Sequence, residues 1–385
     1  IHKIKNALEE LFDKNEEQTL KLIQLSENKI TTEISRQLAH DIRSPLAALN
    51  MLTTHAASLP ENQRILIRSA IGRINDIANS LATKASDIEK QGRLSQSADL
   101  TAELIPILID SVVSEKRIQW RTNHEIQIHF EIPDQCHTML ATVSRADFQR
   151  IISNIIDNSV EALVDSAGTV TVSVKNTGRD LVIEVSDSGK GISPSVLPKL
   201  FQHGATFGKT TSLKSGSGLG LYHAKTNIES WGGNISIASE LNHGTTVTIT
   251  LNRSDTPAWL LQELDLRSVA SIVVIDDEKS IHDMWDERLR EVSKQLKIMH
   301  LSSATQLSDY LSESENNQAS SIFLCDYELS KSGVDGLSLV SSLKISDRSV
   351  LVTSHHDNLE LRLRAQKFGV KLLPKLLVTK IPILS

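Results

Sequence analysis

The chain has 385 residues and a mass of 42.5 kDa, room for two or three domains at about 150 residues each. A composition 39% hydrophobic and 23% charged excludes wholesale disorder, and two cysteines, Cys136 and Cys325, exclude a disulfide scaffold or a four-thiolate zinc site. A net charge of −6 gives no general attraction to nucleic acid or anionic membrane, and no apolar run approaches the roughly 18 residues of a membrane span. These residues are therefore expected to be soluble and cytoplasmic, with no nucleic-acid partner and no membrane contact of their own. The chain begins at Ile1, so it reads as a fragment or processed form that an upstream sensor or membrane segment preceded.

Residues 1–89 read as helix. Ile30, Ile34, Leu38, Ile42, Leu46, Leu49 and Leu52 recur at threes and fours, Leu59 and Pro60 interrupt the pattern, and Leu66, Ala70, Ile74, Ile77, Leu81 and Ile88 resume it. This predicts an antiparallel helical hairpin over 31–90, preceded by a coiled-coil-like helical linker over 1–30. Two helices with one apolar stripe each bury little alone, so a homodimeric four-helix bundle is expected. Within the first helix, LAHDIRSPLAAL at 38–49 turns His40, Ser44 and Ala47 away from Leu38, Ile42 and Leu49. A free imidazole is a competent nucleophile near neutral pH, and Asp41 is placed to fix its tautomer.

A polar hinge at 91–99 containing Gly92 opens the next module. It reads helix, strand (125–132), helix (146–163), strands (169–175 and 181–186), a long loop, a helix and two more strands, a mixed sheet with helices on one face. The helix at 146–163 carries Asn154, Asn158 and Glu161 away from Ile151, Ile152 and Ile155. DSGKGI at 187–192 ends a strand on Asp187 and places Gly189 and Gly191 where the backbone turns sharply or approaches a ligand. GSGLGL at 216–221 brings Gly216, Gly218 and Gly220 to a helix start, suited to phosphate. After a linker over 253–269, the strands SIVVIDD, LKIMHLS, SIFLCD, SVLVTS and VKLLPK alternate with helical stretches, the pattern of a flavodoxin-like (βα)5 doubly wound sheet. Asp276, Asp277, Asp326, Thr353 and Lys375 fall at successive strand ends, where three carboxylates call for a hard divalent cation such as Mg²⁺.

Three resemblances follow from these residues. LAHDIRSPLAAL resembles the histidine box of bacterial sensor histidine kinases. NIIDN at 154–158, DSGKGI, a loop with Phe201 and Phe207, and GSGLGL resemble, in order and spacing, the boxes of the GHKL (Bergerat) ATP-binding fold, an α/β two-layer sandwich. The acidic set resembles the receiver domain of response regulators. Together they are similar to a hybrid sensor histidine kinase with a phosphoacceptor domain (31–90), a catalytic ATP-binding domain (99–252) and a receiver (270–385). The resemblance implies ATP and Mg²⁺ as cofactors, autophosphorylation of His40 assisted by Asp41, and Ser44 where a residue supporting partner dephosphorylation usually stands. It implies contact of Asp187 with the adenine amino group, Mg²⁺ on Asn158 with Asn154 beside it, Gly218 and Gly220 flanking the triphosphate, and a mobile lid over 200–215 with Lys209 near the phosphates. In the receiver it implies Asp326 as phosphoacceptor, Asp276 and Asp277 as further metal ligands, and Thr353 and Lys375 as phosphoryl contacts. Onward transfer to a histidine phosphotransfer protein or response regulator is expected. Departures are Ser44 for Thr or Asn, Leu376 for a proline, Leu372 for an aromatic residue, and only ten residues after Lys375, which leave a short final helix. A phosphatase-biased kinase and a nucleotide-binding scaffold remain the alternatives.

Overall fold

Ser144 opens the helix that organises the first half of the structure: its hydroxyl bonds Asp147 at 3.0 Å, and Phe148, Ile151, Ile152, Ile155 and Ile156 are then buried along one side. The computed structural model describes residues 100–121, 125–163, 167–202, 220–290, 296–313, 320–329 and 335–385. The hairpin, the four-helix bundle, His40, Asp41, Ser44, Lys209, Gly216 and Gly218 lie outside the described residues.

In chain order the first half runs β1 (Thr101–Leu104), α1 (Ile105–Gln119), β2 (Ile126–Glu131), β3 (Leu140–Val143), α2 (Arg145–Glu161), β4 (Gly168–Asn176), β5 (Asp180–Asp187), α3 (Gly220–Ser230), β6 (Asn234–Glu240) and β7 (Gly244–Asn252). A five-stranded sheet has the order β2-β4-β5-β7-β6, parallel only between β2 and β4. Val170, Val172 and Val174 of β4 and Leu181, Ile183 and Val185 of β5 point alternately into one apolar cluster with α1 and α2, which leaves the other face of those strands polar. The segment at 101–104, expected within a helix, is instead a strand paired antiparallel with β3 in the register Thr101↔Val143 to Leu104↔Leu140. Of TAEL only Thr101 favours extended backbone; the pairing with β3 imposes it on the rest.

The second half comprises β8 (Leu264–Asp265), β9 (Ser271–Ile275), α4 (Lys279–Leu289), β10 (Lys297–Leu301), α5 (Ala304–Glu313), β11 (Ser321–Asp326), α6 (Gly336–Ser342), β12 (Ser349–Thr353), α7 (Leu359–Phe368), β13 (Lys371–Pro374) and β14 (Ile383–Leu384). Its main sheet is all-parallel in the order β10-β9-β11-β12-β13. Strand β9 is buried along its whole length, as a central strand covered on both faces must be.

Two further sequence expectations are corrected. The stretch 253–269 is not a free tether: Trp259, Leu260, Leu261, Leu264 and Leu266 are buried in the same core as β9, β11 and β12. Leu372 donates its amide to the Trp259 carbonyl at 2.7 Å and accepts from Leu261 at 2.9 Å, so the segment covers the β13 edge. The chain after Lys375 makes no final α-helix among the described residues. It forms a 3₁₀ turn (Lys375–Leu377) and then β14, which pairs in parallel with β8.

Residues 100–385 constitute one compact unit. Leu104, Ile107 and Leu140 of the first half belong to the same buried cluster as the parallel sheet, and Arg145 pairs with Asp357 at 3.0 Å.

Candidate functional site

The first candidate pocket lies at the end of β5, beside α2. The Asp187 carboxylate accepts from the Gly189 amide at 3.0 Å and the Thr245 amide at 3.2 Å, and is bonded by the Ser159 hydroxyl. Burial nevertheless outweighs these bonds and raises its pKa above the ordinary value. Helix α2 is keyed from behind: the buried Lys116 ammonium of α1 meets Asp157 at 2.6 Å. With Asp157 tied to α1, Asn154 and Asn158 stand exposed one turn apart on the other side of the helix. Gly220 begins α3, and a Cβ there would lie 3.8 Å from Asn154 Nδ2, so the amide faces the start of that helix. The arrangement sets the Asn154 carboxamide beside the first described turn of α3, with Asn158 one turn further along α2.

Of the two causes expected for the glycines of DSGKGI, a sharp turn fits Gly191, whose φ is +66°, and close approach to backbone is added at both. Both are held against the protein's own backbone. A Cβ on Gly189 would sit 2.8 Å from the Ala162 carbonyl oxygen, and one on Gly191, at φ +66°, would sit 2.0 Å from the Glu240 carbonyl oxygen. Ser239 then pins the loop, accepting from the Ile192 amide and donating to the Gly244 carbonyl, each at 2.8 Å. Phe201 packs on the edge of the first core with the Lys225 ammonium 5.4 Å from its ring centre. Ser159, Gly244 and Thr245 belong to this pocket and were not singled out from sequence. Thr245 and Gly244 come from the strand pairing that sets Asp187 opposite Thr245, which periodicity does not reveal, and Ser159 is the residue next to Asn158 on α2.

The second site lies at the carboxyl ends of the parallel strands. Carboxylate oxygens of Asp276, Asp277 and Asp326 all fall within 4.8 Å of one another. Asp276 and Asp326 are 1% and 4% exposed, and the similarly buried Lys375 ammonium reaches both, at 3.1 and 3.2 Å. Burial is the dominant influence and pushes both carboxyls above the ordinary range, with Lys375 opposing it. Three oxygen donors so close form a set suited to a hard divalent cation, and Mg²⁺ fits its chemistry. The Glu278 amide donates to Asp276 Oδ1 at 2.9 Å and fixes that carboxylate. Thr353 is fully buried at the end of β12, and its hydroxyl accepts from the His355 amide at 2.9 Å. Cys325 and the main chain of Asp326 leave no room at Gly336, where a Cβ would lie 1.9 Å from the Asp326 carbonyl oxygen.

Residues 144–255 match the family model of histidine kinase-, DNA gyrase B- and HSP90-like ATPases, which supports ATP binding by this stretch. The chain is also 29% identical over 245 residues to the histidine protein kinase SaeS of Staphylococcus aureus, covering 60% of this chain and 66% of that protein. It is 29% identical over 242 residues to sporulation kinase D of Bacillus subtilis, covering 62% and 43%. The match thus spans just under two thirds of SaeS and less than half of the sporulation kinase. Among solved structures, a mycobacterial sensor histidine kinase, MprB, matches 40% of this chain at 19% identity and a TM-score of 0.34, over 97% of its own length. Full-length ShkA in complex with AMPPNP matches 91% at 16% identity and a TM-score of 0.39, over 72% of its length. No helix among the described residues is long and apolar enough to cross a membrane.

Proposed function

We propose that the chain is a hybrid histidine kinase that binds ATP in the Asp187 pocket, phosphorylates His40, and passes the phosphoryl group to Asp326. The observation that carries the hybrid reading is the acidic set with its bridging lysine: Asp276, Asp277 and Asp326 clustered at the ends of parallel strands with Lys375 Nζ between two of them. In the first step an imidazole nitrogen of His40 bonds the γ-phosphorus, the bond to the bridging oxygen breaks, and ADP leaves. In the second, a carboxylate oxygen of Asp326 takes the phosphorus from the imidazole. Both steps depend on positioning and on compensating negative charge, more than on covalent help from the protein.

The chain's own groups have distinct parts in this scheme. Asp187 orients the nucleotide base through the carboxylate that the Gly189 and Thr245 amides hold in place. Asn154 and Asn158 face the phosphate end, and Lys375 compensates charge as Asp326 is phosphorylated. A cation held by Asp276, Asp277 and Asp326 would supply the remaining neutralisation. The doubly wound strand order supports the receiver reading, and an external histidine phosphotransfer protein or response regulator takes the phosphoryl group onward. A homodimer through the helical hairpin completes the proposal.

Incubation with γ-labelled ATP and Mg²⁺, followed by acid and base treatment, tests this. Label on His40 is lost in acid, and an acyl phosphate on Asp326 is lost in base. His40→Gln should abolish incorporation and leave nucleotide affinity within about twofold, because the nucleophile and the pocket belong to separate parts of the sequence. Retained labelling in that variant would make another residue the acceptor.

A further inference from the structure

Ser354, His355 and His356 separate Thr353 from Asp357, and this turn runs from the acidic site to the start of the helix that carries Asn154 and Asn158. At its first end, Thr353 closes β12 one position beyond Val352, the register partner of Asp326. The Thr353 hydroxyl accepts from the His355 amide, and His355 Nε2 lies 3.0 Å from Glu328 Oε1, two residues past Asp326. At the other end, Asp357 Oδ2 lies 3.0 Å from Arg145 Nη1. Arg145 is the first residue of α2, the helix that presents Asn154 and Asn158. The turn is braced from below: Arg362 Nε donates to the His356 carbonyl at 2.5 Å, and its guanidinium lies 4.5 Å from the centre of the Trp259 ring.

We infer that this turn couples loading of the acidic pocket to the nucleotide pocket, with the Arg145–Asp357 ion pair as the link. The inference rests on the reading of both pockets given above. A phosphoryl group on Asp326 adds negative charge and three acceptor oxygens beside the end of β12. Swinging the Thr353 hydroxyl toward them removes the acceptor of the His355 amide, and the added charge repels Glu328 and competes for His355. A turn amide deprived of its acceptor costs enough for the turn to rearrange. The turn thus has two arrangements, and Asp357 follows it. In the described arrangement Asp357 holds Arg145, the first residue of α2, at 3.0 Å, with Glu103 3.8 Å from the same guanidinium; in the other, Arg145 loses Asp357 and keeps Glu103, so the start of α2 shifts while its buried face stays packed. Because linkage is reciprocal, a nucleotide that prefers one setting of α2 biases the acidic pocket by the same factor.

The test uses the full 385-residue chain. The affinity of a fluorescent, non-hydrolysable ATP analogue is measured in Mg²⁺ with and without beryllium fluoride, a phosphoryl mimic whose binding is followed separately by ¹⁹F NMR. In the unsubstituted protein, beryllium fluoride should change nucleotide affinity by about fivefold or more, and the nucleotide should change beryllium fluoride affinity by the same factor. Asp357→Asn and Arg145→Gln should abolish the change, with the unloaded variants already at the affinity of the loaded, unsubstituted protein. Asp357→Glu should retain it, which separates loss of the ion pair from misfolding. Asp326→Asn should remain at the unloaded affinity whether or not beryllium fluoride is present. Both ligands binding without mutual effect, or an effect that survives in Asp357→Asn, would overturn the coupling while leaving the two sites standing. Failure of either ligand to bind its pocket would overturn the site reading and the coupling together.

Discussion

Asp187 is the most tightly held carboxylate of the proposed nucleotide pocket. Its carboxylate takes two backbone amides and the Ser159 hydroxyl, so it is held by the protein before any ligand arrives. Asp187→Asn keeps one oxygen for Gly189 and Thr245 but replaces the other with a donor, which opposes a donor on the ligand. A charge-assisted bond of about 1.5–3 kcal/mol is at stake, so calorimetry with ATP and Mg²⁺ should show affinity falling about tenfold or more; unchanged affinity would remove Asp187 from the pocket. The same residue sets a pH dependence. If the ligand donates to the ionised carboxylate as proposed, then because burial raises its pKa above 3.8, affinity should decline on acidification earlier than an ordinary aspartate would make it. A flat profile down to the ordinary carboxylate range would contradict that. Gly244 is the structural counterpart. Its φ is +92°, and a Cβ would lie 1.9 Å from the Asp187 carbonyl oxygen. Gly244→Ala should cost about 1–3 kcal/mol from backbone strain alone, with the clash added, read from the midpoint of urea unfolding.

At the scale of elements, the segment carrying Trp259 decides how the parallel sheet ends. Trp259 is 7% exposed, sits under the Arg362 guanidinium, and its carbonyl accepts from Leu372 on β13. Trp259→Ala should destabilise the chain by about 3–5 kcal/mol, the usual cost of emptying a large buried site; a loss below about 1 kcal/mol would mean the segment only rests on the surface. The sequence itself contained a warning that 253–269 is no tether, because WLLQELDL at 259–266 places four leucines and a tryptophan in eight residues. The long periodic helix α2 and the alternating β4 and β5 were legible to within one or two residues, since period and flanking turns agree there. β1 was not, because its strand conformation comes from β3 some 40 residues away. The acidic cluster was legible since strand ends in a parallel sheet converge, whereas the partners of Asp187 depend on the antiparallel register of β5 with β7. The short helix expected after Lys375 was replaced by β14 because Ile383 and Leu384 find a pairing neighbour in β8.

For the molecule as a whole, the direction of phosphoryl flow is the quantity to test, and the geometry around Lys375 makes the test clean. Asp326→Ala removes the proposed acceptor yet leaves the buried ammonium paired with Asp276, so no uncompensated cation is created in the core. Label from ATP should then accumulate on His40 and exceed the acid-labile label of the unsubstituted chain, which passes its phosphoryl group on. Equal acid-labile label in the two proteins would separate His40 from Asp326. Metal and lysine should part company in the same assay. Three carboxylates within 4.8 Å repel one another and the incoming phosphoryl group, so chelation of Mg²⁺ should stop a separately prepared phosphohistidine donor from labelling the chain. Lys375→Ala deletes the ammonium that reaches both Asp276 and Asp326. An ammonium competes with a metal for those oxygens and ligates none itself, so this variant should bind Mg²⁺ at least as tightly as the unsubstituted protein. It should accept label about tenfold or more slowly, because the phosphoryl group no longer meets a charge-assisted hydrogen-bond donor there. Weaker Mg²⁺ binding with normal transfer would reverse the roles assigned to the lysine and the metal.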